Sequence, residues 1–415
     1  MTLAGRLLVA ILLLSSLVDL PGQFEFGPVS GLALLTIGYA GTSWLLLLAQ
    51  GRLTRTAFAV VVPILLLSVW GLWTFTWADN DRVAKYALQN LLVFITFAGL
   101  VLLSARESCR AADLQASVGR YLTCATLAAA ALYGSTVLLD GVGTERVIGA
   151  RSFALFALIG LAWNVAGWRY GSRRAMWAAA GIVIVIVISL SRLALVVGLA
   201  LFPMALLGAR RATQWIRALA WTAIAAGILT IVIERVEPVR ARFFEGDLSM
   251  RAGDVAINVS GRRVLWEATM ASFAESPWVG KGAGTASIVA DSAVPGVGHP
   301  HSEYLRILHD YGIFGMALWL LGIGRLVLAA WRAWVRADRI GDPSARIHLA
   351  TLLATGAVSI AMITDNTVVY PFVMAPFAIL VGASLGRPSP VRLPAARPID
   401  VPMRATGPWP ARARR

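Results

Sequence analysis

The sequence has little charge and few cysteines. Only 14% of its 415 residues are charged, whereas 58% are hydrophobic, a balance that excludes an ordinary soluble globular protein. Its two cysteines, Cys109 and Cys124, support neither a disulfide framework nor a cysteine-based metal site. The first apolar run, near residues 7–20, is followed by no clear small-x-small cleavage pattern. We therefore expect this run to be a membrane span rather than a cleaved signal peptide.

Acidic residues are also scarce. The chain has 22 Asp and Glu residues against 37 Lys and Arg residues, a formal charge of +15. Such an excess can indicate nucleic-acid binding, but here the arginines fall in alternate short loops and in the C-terminal tail. That distribution is typical of the cytoplasmic segments of a membrane protein. We therefore expect membrane lipids as partners, no nucleic acid, and a cytoplasmic N-terminus.

Repeated apolar runs close to the roughly 20 residues that cross a bilayer predict an all-α, polytopic integral membrane protein with about twelve transmembrane helices. The runs lie near residues 7–20, 31–49, 57–77, 88–104, 118–139, 152–168, 175–190, 192–208, 215–233, 312–331, 346–364 and 369–386. This pattern divides the chain into an N-terminal bundle of about nine helices (1–233), a large external loop (234–310), C-terminal spans (311–386) and a disordered Pro/Arg-rich cytoplasmic tail (387–415).

The external loop is too long to be a simple connection, and we expect it to be functional and to contain short helices. The stretch "GRRVLWEATMASF" predicts an amphipathic helix with a partly buried face formed by Leu265, Ala268, Met270 and Phe273. The glycine-rich segment that follows Pro277 is expected to end this helix.

Arginines at two places need an explanation. Arg192 lies within the apolar stretch "ISLSRLALVVG", where an ionisable residue is by default a functional hypothesis. The alternative is an arginine that snorkels from a very short loop between two spans. Arg262 and Arg263 lie near a predicted helix N-terminus, which favours a bound anion such as phosphate. A solvated cationic turn is the alternative for this pair.

Three of the four histidines fall within eleven residues: His299, His301 and His309. A neutral imidazole can act as a general base near neutral pH. His299 and His301 alternate along an extended segment and so point to opposite sides, which counts against a shared metal ion. Ser302 is a plausible N-cap for a helix in "SEYLRILHDYG", which would place His301 at the helix end.

Further polar residues border the external side and are expected to bind substrate by completing a polar cavity. They are Arg146, Arg151, Glu303 and Asp365, with Asn366 beside the last. Taken singly, the bordering residues are more often interfacial anchors. A polytopic transporter is a competing class of function, but it predicts two related halves with broken helices, and no internal repeat is visible.

Taken together, three stretches resemble the O-antigen ligase and polysaccharide polymerase family of bacterial envelope glycosyltransferases. They are "SLSRLALVVGL", "SGRRVLWEATMASFAESPWVGKGAGT" and "HPHSEYLRILHDYGIFG". The family pattern maps onto Ser191-Arg192, Gly261-Arg262 with Trp266, Pro277-Gly280-Gly282, and His301-Ser302-Leu305 with Gly312-Gly315. Ser302 stands where Asn is commoner, and the segment after "VIGARSF" lacks the Pro-Asn often present there.

The resemblance implies a GT-C-like protein of the bacterial inner membrane with a periplasmic active site. It implies inverting transfer from an undecaprenyl-diphosphate-linked glycan, without a metal, a nucleotide sugar or another cofactor. Arg192 and Arg262 would then stabilise the diphosphate, and His301 would deprotonate or orient the acceptor hydroxyl. The short loop favours a polymerase of exopolysaccharide or O-antigen units over a ligase to lipid A-core. A chain-length regulator or flippase is an expected partner.

Overall fold

The computed structural model describes residues 1–27, 29–50, 53–78, 80–111, 113–142, 147–207, 212–245, 250–252, 255–257 and 261–386. Arg146 and the predicted disordered tail, 387–415, lie outside the described residues. Within these ranges the protein is all-α, as predicted, apart from two short antiparallel strand pairs.

The described part of the chain contains fifteen α-helices and four strands. The helices are α1 (Leu3–Leu14), α2 (Gly31–Gln50), α3 (Arg55–Thr74), α4 (Asn80–Arg110), α5 (Leu114–Asp140), α6 (Ala150–Arg169), α7 (Arg173–Ile188), α8 (Arg192–Leu206), α9 (Ala212–Arg235), α10 (Glu237–Phe244), α11 (Arg262–Phe273), α12 (Ala286–Ala293), α13 (Glu303–Ile340), α14 (Ala345–Thr364) and α15 (Pro371–Leu385). The strands are β1 (Glu25–Phe26), β2 (Val29–Ser30), β3 (Met250–Ala252) and β4 (Val255–Ile257).

Each of the twelve predicted apolar runs overlaps a helix, α1 to α9 or α13 to α15, although α1 ends at Leu14, before the predicted end near residue 20. Among the described residues, eight helices are long and apolar enough to cross a membrane: α2 to α6, α9, α13 and α14. The chain is therefore a multi-pass membrane protein. Twelve spans remain a prediction, because the other four helices, α1, α7, α8 and α15, have only 12 to 16 residues.

Some helices are longer than the predicted spans, because they continue into polar sequence at one end. α4 begins at Asn80 rather than near residue 88, and α13 continues to Ile340 rather than ending near 331. Hydropathy marks only the apolar part of a helix, whereas charged residues such as Lys and Arg are good helix formers outside the apolar layer. A hydropathy pattern therefore underestimates the length of such helices.

Helices α6 and α15 form the centre of the bundle. Almost every residue of α6 between Phe153 and Gly167 is buried, and every residue of α15 is buried. A helix that is apolar all round is buried in a protein core or in lipid, and in α6 and α15 neighbouring helices provide the enclosure. The N-terminus of α6, which carries Arg151, is consequently held inside the bundle rather than at its lipid-facing surface.

The segment 234–310, predicted to be an external loop, contains the expected amphipathic helix, α11, which buries Leu265 and Thr269. Met270, expected on the buried face, is instead 41% exposed. Successive helical residues are separated by about 100°, so a residue directly after Thr269 turns away from the side that it buries. The loop also contains α10, α12 and the pair β3–β4.

A glycine contact joins this loop to the membrane bundle. α13 begins in the loop and bends at Gly312, whose φ and ψ of 65° and −169° are not helical. The predicted division near residue 310 lies within two residues of this bend, where two helical segments meet, and remains a prediction. A Cβ added to Gly312 would lie 2.3 Å from the carbonyl oxygen of Trp278, and one added to Gly280 would lie 2.5 Å from that of Asp310. Backbone hydrogen bonds from Ile313 to Pro277 and from Gly282 to Asp310 connect the same segments.

This close approach predicts a specific effect of adding a methyl group. Gly312→Ala should lower the stability of the detergent-solubilised protein by about 2 kcal/mol or more, because alanine is strained at this φ and meets the Trp278 carbonyl. Gly324→Ala is the matched control on the same helix, since a Cβ there meets nothing within 4 Å. Equal melting temperatures for the two variants would contradict this account of the bend.

Candidate active site

His301 directly precedes the N-cap of α13, and hydrogen bonds hold the residues on both sides of it. Ser302 is the N-cap, as predicted, and its side-chain oxygen accepts a hydrogen bond from the Leu305 amide at 3.5 Å. On the other side, the Trp266 indole of α11 donates to the Pro300 carbonyl at 3.0 Å. His301 itself has a φ of +54°, in the left-handed region that non-glycine residues seldom occupy. Strain of this kind is concentrated at functional sites.

One ring nitrogen of His301, Nδ1, lies within hydrogen-bond distance of two polar side chains. Its Nδ1 lies 3.2 Å from Nη2 of Arg151 and 3.1 Å from Nδ2 of Asn366. A guanidinium can only donate hydrogen bonds, so Nδ1 must accept. The neutral imidazole therefore carries its proton on Nε2, which is available as a donor to an oxygen.

Arg151 forms a salt bridge with a carboxylate in the segment between α14 and α15. Its Nε donates to Oδ2 of Asp365 at 2.5 Å, and the Asp365 side chain is 6% exposed. The other oxygen of Asp365 accepts from the Asn366 amide at 2.7 Å. The segment after α14 thus determines both contacts of Nδ1. Its Asp365 binds Arg151, and its Asn366 contacts Nδ1 directly.

Arg262 is the first residue of α11, as its position near a predicted helix N-terminus indicated. Burial, together with the positive charges of Arg151 and Arg192, lowers its pKa to about 10, while Asp365 acts in the opposite direction. Burial and the cations Arg151 and Arg262 likewise lower the pKa of His301 to about 4. Arg151 and Arg262 therefore both lie close enough to His301 to act on its charge, and Arg192 acts on that of Arg262.

Arg192 opens α8 directly after a three-residue break from α7. Leu190 in this break has a φ of +55°. The Arg192 guanidinium lies 5.7 Å from the ring centroid of Phe243 on α10. The very short connection considered for Arg192 is therefore present. Its arginine packs against Phe243 of a loop helix and its charge acts on that of Arg262, an arrangement different from simple snorkelling.

Three arginines of this site occupy the first turns of helices. Arg151 is the second residue of α6, Arg192 the first of α8 and Arg262 the first of α11. Helix N-termini carry partial positive charge and favour anions, so a cation there is electrostatically unfavourable. Asp365 balances only part of this charge. The arrangement is suited to bind a multiply charged anion such as a diphosphate.

The remaining predicted substrate-binding residues are placed differently. Glu303 is fully buried, pairs with Arg306 at 2.5 Å and accepts hydrogen bonds from the Val368 and Val369 amides at 2.9 and 3.3 Å. It joins α13 to the segment that carries Asp365. Arg263 has a 58% exposed side chain and pairs with Glu267 on the same helix. Substrate contact by either residue remains a prediction without support from these positions.

Sequence reasoning missed several residues that shape the site. The sequence places Asn366 with Asp365 at the predicted polar cavity but does not predict its contact with His301. Phe243 was not noticed, although the proline of "EPVRARFF" marks a helix start after α9. His309 is buried, and its Nε2 lies 3.0 Å from Oγ of Ser272 on α11. His299 packs edge-on against Tyr86, and burial lowers its pKa to about 3.

The family model for O-antigen ligase matches residues 177–320. Residues 177–320 are therefore similar to the O-antigen ligase family. This finding confirms the family resemblance drawn from the sequence motifs. The match spans about a third of the chain and includes Arg192, Arg262 and His301, whereas Arg151 and Asp365 lie outside it. No curated protein matches the chain significantly.

The contact between Arg151 and Nδ1 predicts the protonation behaviour of His301. In histidine-detected ¹⁵N NMR of the solubilised protein, its ring should be neutral at pH 6 with the proton on Nε2. Arg151→Gln should raise the pKa of His301 from about 4 towards the ordinary 6.5, because it removes a nearby positive charge.

Arg263→Gln provides the matched control, since Arg263 is exposed and pairs with Glu267 on α11. This variant should leave the His301 titration unchanged, and His301→Gln assigns the signal. A proton on Nδ1, or an unchanged pKa in Arg151→Gln, would contradict the assigned geometry.

Proposed function

We propose that the protein transfers glycan from an undecaprenyl-diphosphate donor to an acceptor hydroxyl at the periplasmic face of the inner membrane. The observation that carries this proposal is the contact of Arg151 with His301, together with the mutual electrostatic effects of Arg151, Arg192 and Arg262, each in the first turn of a helix. The O-antigen ligase match supports this reaction class. Inversion, metal independence and the periplasmic position belong to the proposal.

The donor diphosphate would bind between Arg192 and Arg262. Two bound phosphate groups would offset the positive charge of the arginines and of the helix N-termini. During transfer, the bond between the anomeric carbon and the diphosphate oxygen breaks, and negative charge accumulates on the leaving group. Prearranged donors that face this developing charge lower the barrier without reorganising. The apolar carrier chain would lie along the membrane helices.

His301 would act on the acceptor. In the free protein its low pKa makes it a weak base, and its Nδ1 accepts from Arg151. A bound diphosphate would raise that pKa, because its negative charge opposes the cations that lower it. Attraction of Arg151 to the same anion, together with rotation of the Asn366 side chain away from the ring, would release Nδ1. His301 would then orient the hydroxyl and accept its proton as the new glycosidic bond forms.

The acceptor distinguishes two versions of this function. We favour polymerisation of exopolysaccharide or O-antigen repeat units, because only a short segment separates Arg262 from His301 and leaves little room for a large acceptor-binding insertion. Ligation to lipid A-core is the second candidate, favoured by the description of the matching family as O-antigen ligase. Both versions use the same donor and the same three arginines.

Substitution of an arginine in the site should impair transfer more than folding. Arg262→Gln and Arg192→Gln should each reduce the rate with a lipid-linked oligosaccharide by about a hundredfold or more, as expected for removal of a charge-stabilising donor. Protein level and melting temperature should change little. Arg263→Gln, which removes the neighbouring exposed charge, should keep nearly full activity. Equal activity losses in Arg262→Gln and Arg263→Gln would contradict the proposed donor site.

Reconstitution with a choice of acceptors should separate polymerase from ligase. We expect purified wild-type protein, given lipid-linked oligosaccharide and lipid A-core together, to form longer lipid-linked glycan in amounts that His301→Ala does not. Gel mobility and mass spectrometry measure both products. Glycan attached to lipid A-core without lengthened lipid-linked glycan would show that the ligase version is right.

A further inference from the structure

A second cluster of arginines lines a cavity at the opposite end of the bundle from His301. The cavity, of about 590 Å³, lies between α5, α6, α7 and the start of α14. α14 runs from Arg346 beside this cavity to Thr364 next to Asp365. At 1.5 Å per residue, this separates the two sites by about 27 Å. The cavity is therefore distinct from the candidate active site and lies at the end predicted to face the cytoplasm.

The lining of this cavity is basic and rich in hydrogen-bonding groups. It includes Arg120, Arg174 and Arg346, with Gln115 and Thr123 among the neutral polar residues. Among the described residues that form the lining, none is acidic. Its volume falls within the range of roughly 300–1,000 Å³ typical of small-molecule sites. Charge and size together favour an anionic ligand.

Arg346 is held in place by packing rather than by a carboxylate. Its guanidinium carbon lies 4.0 Å from the ring centroid of Trp163, which is a close cation–π contact. A Cβ added to Gly167 would lie only 2.5 Å from Nη2 of Arg346, so this glycine leaves the space that the arginine fills. The buried Nε of Arg346 has no hydrogen-bond partner among the described residues. A preorganised cation with an unmet donor is a suitable anchor for a phosphate oxygen.

Two helix N-termini meet the same cavity. Ser172 is the N-cap of α7 and Ser344 the N-cap of α14, and both line it. Arg174 and Arg346 are each the second residue of the helix that follows. As at the candidate active site, cations in first turns add to the positive end of the helix dipole, and a bound anion relieves this repulsion.

We propose that this cavity binds the phosphate of an anionic membrane lipid from the leaflet at this end of the protein. The apolar side chains that follow Arg174 on α7 support a lipid source, because Trp177 is 71% exposed and Met176 is also exposed. Trp residues at such positions are typical of the membrane interface. The headgroup phosphate lies among the three arginines while the acyl chains pass along α7.

Binding of dioleoylphosphatidylglycerol to the purified full-length protein tests this assignment by native mass spectrometry, with dioleoylphosphatidylcholine as the zwitterionic comparison. The double variant Arg120→Gln/Arg174→Gln removes two lining charges that are exposed and outside the packed core. Arg173→Gln/Arg336→Gln is the matched control, because these exposed arginines belong to the same end of the bundle and do not line the cavity.

The lining variant should bind phosphatidylglycerol about tenfold more weakly than wild type, whereas the control should stay within about twofold. Equal binding by both variants, or no preference of the wild type for phosphatidylglycerol over phosphatidylcholine, would overturn the proposal.

Competition separates the two sources of phosphate: inorganic phosphate that displaces the lipid at millimolar concentration would overturn the lipid assignment. Failure to displace it supports recognition of headgroup and tail together. None of these measurements requires glycosyl transfer.

Discussion

The placement of positive charge against the helix dipoles is the constraint on which the candidate site depends. Arg151, Arg192 and Arg262 each occupy a first turn, where a cation is electrostatically unfavourable. Such a site is less stable when it is empty than when it holds an anion, so the surrounding structure must hold the arginines in place. Burial of α6 along nearly its whole length and enclosure of Arg192 by α10 provide that support.

The loop that carries His301 is positioned by several independent contacts. The glycine contact between Gly280 and Gly312 connects the loop to the bend in α13. The Trp266 indole fixes the residue before His301 by its hydrogen bond to the Pro300 carbonyl. The buried pair of Glu303 and Arg306 connects the start of α13 to the segment after α14. A buried ion pair is weak evidence for stability by itself, but here it brings Asn366 and Asp365 beside the imidazole. The loop is therefore packed against the membrane helices through these contacts.

Much of the helical architecture could be predicted because membrane spans are dictated by long apolar runs. The N-terminal positions of Arg262 and His301 also followed from local rules, namely the helix pattern of α11 and the serine cap of α13. Contacts across the sequence could not be predicted in this way. Arg151 and His301 are 150 residues apart, and their contact depends on the left-handed φ of His301 and on the packing of α6. The burial of Glu303 likewise depends on amides more than 60 residues away.

The central claim is that the three first-turn arginines form a site for a diphosphate. The most direct test measures the affinity of the solubilised protein for an isoprenyl diphosphate and for the corresponding monophosphate, without an acceptor. The account predicts at least about tenfold tighter binding of the diphosphate, and it predicts that Arg151→Gln/Arg262→Gln abolishes this preference while Arg263→Gln preserves it. Equal affinity for the two lipids in the wild type would contradict the account.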